Sequence, residues 1–192
     1  GGPVGVGALL VKRSAKSEAL FHGGSQQRFR AGSQDVAGAV AFASALKKLS
    51  NETDATIKMQ SQRDRLIEGV LKLVPEAVLR GSSHLELGKR LPGNAHFTFA
   101  GCQGDSLLFL LDAKGVSVSV GSACQAGVQE ISHVLLGMGI EPKEAIGSLR
   151  MTLAHSTSDA EIDHFLMNIA EAVKDAKKAG ITSIDMNLGE KL

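Results

Sequence analysis

SVSVGSACQAGV, residues Ser117–Val128, is a β-branched run that breaks into small residues. Alternation over Val116–Val120 reads as a short strand, and Gly121 with Ser122 ends it. Ser122, Ala123 and Cys124 then open a loop of small side chains that closes at Gly127. A thiol at a strand end, in a sterically open loop, is placed to meet a substrate. A cysteine kept for packing usually lies inside an apolar element. Cys124 is therefore the candidate nucleophile, with an inert thiol as the alternative.

Working outward, the C-terminal side continues as short elements. Ser132 is positioned to cap a helix over His133–Met138 that Gly139 ends, and Pro142 opens another helical turn. His133 reads equally as a functional group and as an exposed residue at a helix start. Ser148–Leu153 reads as a strand carrying Arg150 among Leu149, Met151 and Leu153. A guanidinium there is costly unless paired, either with a core carboxylate or with a ligand. The final helix, Asp159–Ala179, opens on a capping box of Ser158 and Glu161. It carries an apolar stripe of Ile162, Phe165, Leu166, Ile169 and Val173. Lys174, Lys177 and Lys178 suit its C-terminal dipole, and Gly180 is expected to stop it, leaving 181–192 as a loosely docked tail.

On the N-terminal side, Gly104–Ala113 reads as a buried helix capped by Asp105 or Ser106, and Cys102, after the preceding strand, reads as a packing residue. Ala95–Ala100 and Val78–Arg80 read as strands joined by a polar connector, Gly81–Arg90, and a Leu91–Asn94 turn. A helix over Ala55–Val74 is expected to bury Ile57, Leu66, Ile67, Val70, Leu71 and Val74. Its Lys58, Arg63, Asp64, Arg65, Glu68 and Lys72 would form a solvated face. A polar break, Ser50–Asp54, separates it from a helix over Val36–Leu49 with Asp35 as N-cap. Before that, FHGGSQQRFRAGSQDVAG, Phe21–Gly38, combines glycines with arginines. That combination suits an anion site and equally a solvated loop. Val6–Val11 reads as an apolar strand.

The 192 residues are 43% hydrophobic, enough for a sizeable core, and 21 basic residues nearly balance 20 acidic ones. That balance argues against nucleic-acid or membrane-surface binding by bulk charge. No apolar run approaches the ~20 residues that cross a bilayer, and no signal-peptide pattern opens the chain. A soluble, cytoplasmic protein is expected. Cys102 and Cys124 fit no metal spacing, and free thiols are the expected state, although the two could pair.

Gly121-Ser122-Ala123-Cys124, Ser132-His133-Val134-Leu135 and Gly147-Ser148-Leu149-Arg150, in that order, resemble the C-terminal half of the cysteine desulfurases. These are pyridoxal-phosphate (PLP) enzymes of the class V aminotransferase group. Leu91-Pro92-Gly93-Asn94 before a strand is similar to the family as well, and so is Arg30-Ala31-Gly32-Ser33 after the Gly23-Gly24 turn. The resemblance implies an α/β fold overall. Residues 1–54 would be a remnant of the large PLP domain with a bridging helix, 55–180 an α+β small C-terminal domain, and 181–192 a tail.

It further implies that Cys124 accepts sulfur, that Arg150 grips the substrate α-carboxylate and that Asn94 helps to hold substrate. Ser33, with Arg30 and Gly32, would reach the PLP phosphate of a neighbouring subunit in a homodimer, and Arg28 could share the role of Arg30. The reaction implied takes sulfur from L-cysteine, releases alanine and passes a persulfide to an iron–sulfur scaffold or other acceptor protein. The lysine that holds PLP in the family precedes a stretch like Gly2–Gly7, so it would fall just ahead of Gly1. This chain alone is therefore expected to be inactive. Rival readings are a class V aminotransferase, which would not need Cys124, a selenocysteine lyase, and a non-enzymatic sulfur-carrier domain.

Overall fold

The computed structural model describes residues 2–24, 29–86, 88–120 and 131–189, with side chains to residue 179. The chain divides into two compact units, 1–53 and 54–192.

In the first unit, Val36–Asn51 forms helix α1. Asp35 caps it as its composition predicts, accepting from the Gly38 N–H at 2.9 Å. The expected break after it narrows to Glu52 alone, because the next helix starts at Thr53. The expected strand over Val6–Val11 does not form. A strand is made by ladder partners, and this run pairs with nothing among the described residues. Leu9 and Leu10 stay 86% and 96% exposed.

The second unit holds the core. Helix α2 (Thr53–Leu73) leads to strands β1 (Ala77–Leu79) and β2 (Asn94–Phe99). Helices α3 (Gly104–Asp112), α4 (His133–Gly137) and α5 (Pro142–Ala145) follow, then strand β3 (Ser148–Thr152) and helix α6 (Asp159–Gly189). The sheet is antiparallel in the order β1-β2-β3. Period-two alternation turns Ala95, Phe97, Phe99, Leu149 and Met151 to one face. There they pack with Leu66, Ile67 and Val70 of α2, Leu107 and Leu111 of α3, and Ile162, Phe165, Ile169 and Val173 of α6. At about 25 cal/mol per Å² of apolar surface, this layer is the main stabilising term of the unit. A satellite cluster of Leu135, Ile140 and Ala145 ties α4 to α5.

Several expectations need correction. The Val116–Val120 strand contributes one bridge, Ser119 to Arg150. Gln103, without a side-chain bond, takes the N-cap of α3 in place of Asp105 or Ser106. Ser132 occupies the N-cap of α4 but makes no capping bond. Gly180 does not stop α6. One glycine costs a helix only about 1 kcal/mol relative to alanine, and no proline follows to enforce a break. Ile57 is 61% exposed and Leu71 also reaches solvent, whereas Arg63, expected on the solvated face, is 2% exposed. The capping box forms as read: the Glu161 carboxylate accepts from the Ser158 N–H at 2.7 Å and from its hydroxyl at 2.8 Å.

Candidate active site

The face of the sheet opposite the core is polar. β2 and β3 pair Asn94 with Thr152, His96 with Arg150 and Thr98 with Ser148. All three are non-hydrogen-bonded pairs, because the flanking bonds run from Phe99 N–H to Gly147 O (2.9 Å) and from Leu153 N–H to Gly93 O (2.8 Å). In such pairs the side chains stand closest, with Cα atoms about 4.5 Å apart. Asn94 and Arg150, both singled out in the sequence, thus sit as diagonal neighbours on one face, about 7–8 Å apart by strand geometry.

Arg150 is also bonded on its outer side. Its N–H donates to Ser119 O at 2.8 Å, and Ser119 N–H returns to Arg150 O at 3.0 Å. This bridge ties β3 to the segment that runs on, five residues later in sequence, to Cys124. Cys124 itself, with the whole Gly121–Glu130 stretch, lies outside the described residues, as does Arg28.

The expected alternative for Arg150 was an ion pair with a core carboxylate. Among the described residues no carboxylate pairs with it. Its Nε is buried and without a hydrogen-bond partner among the described residues. The neighbouring guanidiniums are committed. Arg80 gives Nε to the Thr98 hydroxyl at 2.8 Å and Nη2 to Glu144 at 2.7 Å. Arg90 donates to the carbonyls of Arg80 (2.5 Å) and Ser82 (2.6 Å), with a long 3.5 Å contact to that of Asn94. Burial, then Arg150, Arg90 and Arg80, hold the His96 pKa below its usual range, which favours the neutral imidazole.

The turn that delivers Asn94 is built around Arg63. This buried guanidinium donates Nη1 to the Leu91 carbonyl at 3.1 Å, and Nε and Nη2 to Asp64 at 2.8 and 2.6 Å. Gly93 lets the turn close on β3: a Cβ there would lie 2.5 Å from the Leu153 oxygen. Sequence reading missed Arg63 because it lies among other charged residues of α2. It missed His96 because the alternation placed it on the polar face without revealing its partner.

Within the first unit, Phe21 and Arg30 form a parallel bridge, and the Arg30 guanidinium lies 4.8 Å over the Phe21 ring. Gly32 has φ +118°, with nothing within 4 Å of where a Cβ would stand, and Ser33 is exposed. Arg30, Ser33 and the open backbone at Gly32 form a donor set suited to a phosphate. The α1 terminus contributes less, because the Asp35 carboxylate already occupies it. His133 opens α4 and is exposed. Cys102 is buried against the Val173 carbonyl at 3.6 Å, and burial pushes its thiol up to about 11, which makes it a packing residue. Among the described residues no group of His, Cys, Asp or Glu could hold a metal ion, and no helix is long and apolar enough to cross a membrane.

The family model for class V aminotransferases matches residues 1–165. The chain belongs to that family. Within it, the chain is 45% identical over 185 residues to an IscS-like cysteine desulfurase of Mycobacterium tuberculosis, covering 95% of this chain and 46% of that protein. It is 37% identical to the cysteine desulfurase IscS of Clostridium botulinum, covering 92% and 45%. A solved NifS-like protein of Rickettsia africae is similar in fold, with a TM-score of 0.62 and 27% identity, over 82% of this chain and 40% of that one. The chain thus spans about half the length of the relatives it matches. The α/β architecture with a small antiparallel sheet agrees with these neighbours.

Proposed function

We propose that this chain is the C-terminal part of a PLP-dependent cysteine desulfurase. The observation that carries the reading is the Arg150 guanidinium, which has no counter-ion among the described residues, on a polar sheet face bridged to the segment that leads in sequence to Cys124. A charge so placed is costly unless a ligand supplies the opposite one. The planar fork of arginine matches a carboxylate with two parallel hydrogen bonds. Arg150 therefore anchors the α-carboxylate of L-cysteine. Asn94, whose side chain makes no hydrogen bond to the described residues, adds a donor and an acceptor on the same face.

Arg30, Ser33 and the backbone at Gly32 would hold the phosphate of PLP, across the interface of a homodimer. PLP, when bound, supplies the electron sink that makes the substrate sulfur electrophilic. The Cys124 thiolate attacks that sulfur. A sulfur–sulfur bond forms, the substrate carbon–sulfur bond breaks, and the electron pair left on carbon takes up a proton to give alanine. The product on Cys124 is a persulfide, which a cytoplasmic acceptor or iron–sulfur scaffold protein then receives. A position among small residues suits a thiol that must serve both substrate and acceptor.

Arg150→Ala in the complete enzyme tests the reading. The expected result is a KM for L-cysteine raised at least about tenfold, the loss of one charged hydrogen-bonded anchor. An unchanged KM would remove Arg150 from substrate binding.

A further inference from the structure

His96 lies in a row that crosses the sheet. On one side the Arg80 backbone N–H donates to the His96 carbonyl at 2.8 Å. On the other side His96 faces Arg150 in the close, non-hydrogen-bonded register, and Arg150 in turn bridges to Ser119. Among the described residues, the charges that act on His96 are cationic: Arg80 at the end of β1, Arg90 before β2, and Arg150 on β3. The carboxylates bonded to neighbouring arginines are spoken for, Glu144 by Arg80 and Asp64 by Arg63. Arg80 and Arg90 have acceptors, whereas the buried Arg150 Nε has none among the described residues. A buried donor without an acceptor calls for an explanation. On this face His96 is the side chain opposite Arg150, and a neutral imidazole carries one ring nitrogen able to accept.

We infer that His96 is a positioning residue for Arg150: its ring nitrogen accepts the buried Nε–H when substrate is seated, and so holds the Nη edge of the guanidinium toward the substrate carboxylate. The inference rests on the reading of Arg150 as carboxylate anchor. It makes His96 a determinant of substrate affinity that takes no part in the sulfur chemistry.

The test is steady-state alanine release from L-cysteine by the complete enzyme. H96F and H96V fill the position with strand-favouring side chains that lack an acceptor, and H96Q restores one. Expected is a KM rise on the order of tenfold for H96F and H96V, with kcat within about threefold, and a near wild-type KM for H96Q. An unchanged KM in either apolar variant that keeps the wild-type circular dichroism would overturn the inference. So would a KM for H96Q raised as far as theirs, or kcat falling in step with the KM effect. Wild-type protein gives an answer independent of those variants. L-alanine, the product, which carries the same α-carboxylate and no sulfur to transfer, should move the 15N resonance of the unprotonated His96 ring nitrogen upfield, and no movement at saturation contradicts the assignment. R150A separates the two claims. If R150A leaves KM unchanged, the carboxylate reading falls and this inference with it; if R150A raises KM while H96F and H96V do not, this inference falls alone.

Discussion

Replacing Arg63 tests whether a buried guanidinium organises the turn that presents Asn94. Its side chain is 2% exposed, and it satisfies the Leu91 carbonyl and the Asp64 carboxylate together. Arg63→Ala leaves the carbonyl without its donor, which costs about 1–3 kcal/mol, and opens a cavity that neighbours fill only in part. Removing one member of a fully buried pair costs about 3–5 kcal/mol, but Asp64 is 29% exposed and regains water, so the charge term is smaller. The sum points to about 3 kcal/mol. Arg63→Met keeps most of the volume and loses only the donors, for about 1 kcal/mol. The protein has no Trp and no Tyr, so urea unfolding followed by far-UV circular dichroism is the suitable assay. The expected order is wild type, Arg63→Met, Arg63→Ala, with m-values unchanged. An Arg63→Ala midpoint equal to that of wild type would refute the turn's dependence on this side chain.

Two further outcomes follow from the titrating groups. Cys102, buried and with its thiol pushed up to about 11, should resist iodoacetamide in native protein at neutral pH and react once unfolded, as peptide mass spectrometry can show; native modification would contradict its packing. His96 has a folded-state pKa below the 6.5 of an unperturbed histidine, so as pH falls through 6.5 the unfolded chain takes up a proton that the native state refuses. Stability contributed by His96 is thus present above pH 6.5 and declines below it until the folded pKa is passed. His96→Gln should flatten that decline in pH-dependent urea midpoints, and parallel curves for the two proteins would be the opposing result.

Local patterns carried much of the fold. The Ser158–Glu161 box and the Ile162, Phe165, Ile169 stripe are short-range signals, and α6 begins and packs as they dictate. Ala95–Ala100 likewise forms the strand its composition predicts, and period-two alternation puts Phe97 and Phe99 on one face and His96 on the other. What stayed hidden depends on distant partners. Arg63 looks like any charged helix residue until the Leu91 carbonyl, 28 positions away, is brought to it. Val6–Val11 has the composition of a strand, yet composition does not supply a neighbour to pair with. The motif around Arg150 marked the residue, whereas its pairing with His96 emerges only from the sheet register, and its lack of a counter-ion among the described residues only from the folded structure.

The central claim concerns Cys124, and the most direct measurement is made on the complete enzyme exposed to L-cysteine without reductant. Peptide mass spectrometry should find one added sulfur atom on the Cys124 peptide and none on the Cys102 peptide, and Cys124→Ala should release no alanine. Full alanine release by Cys124→Ala, or added sulfur only at Cys102, would contradict the account and favour a family member that does not use a cysteine nucleophile at this position.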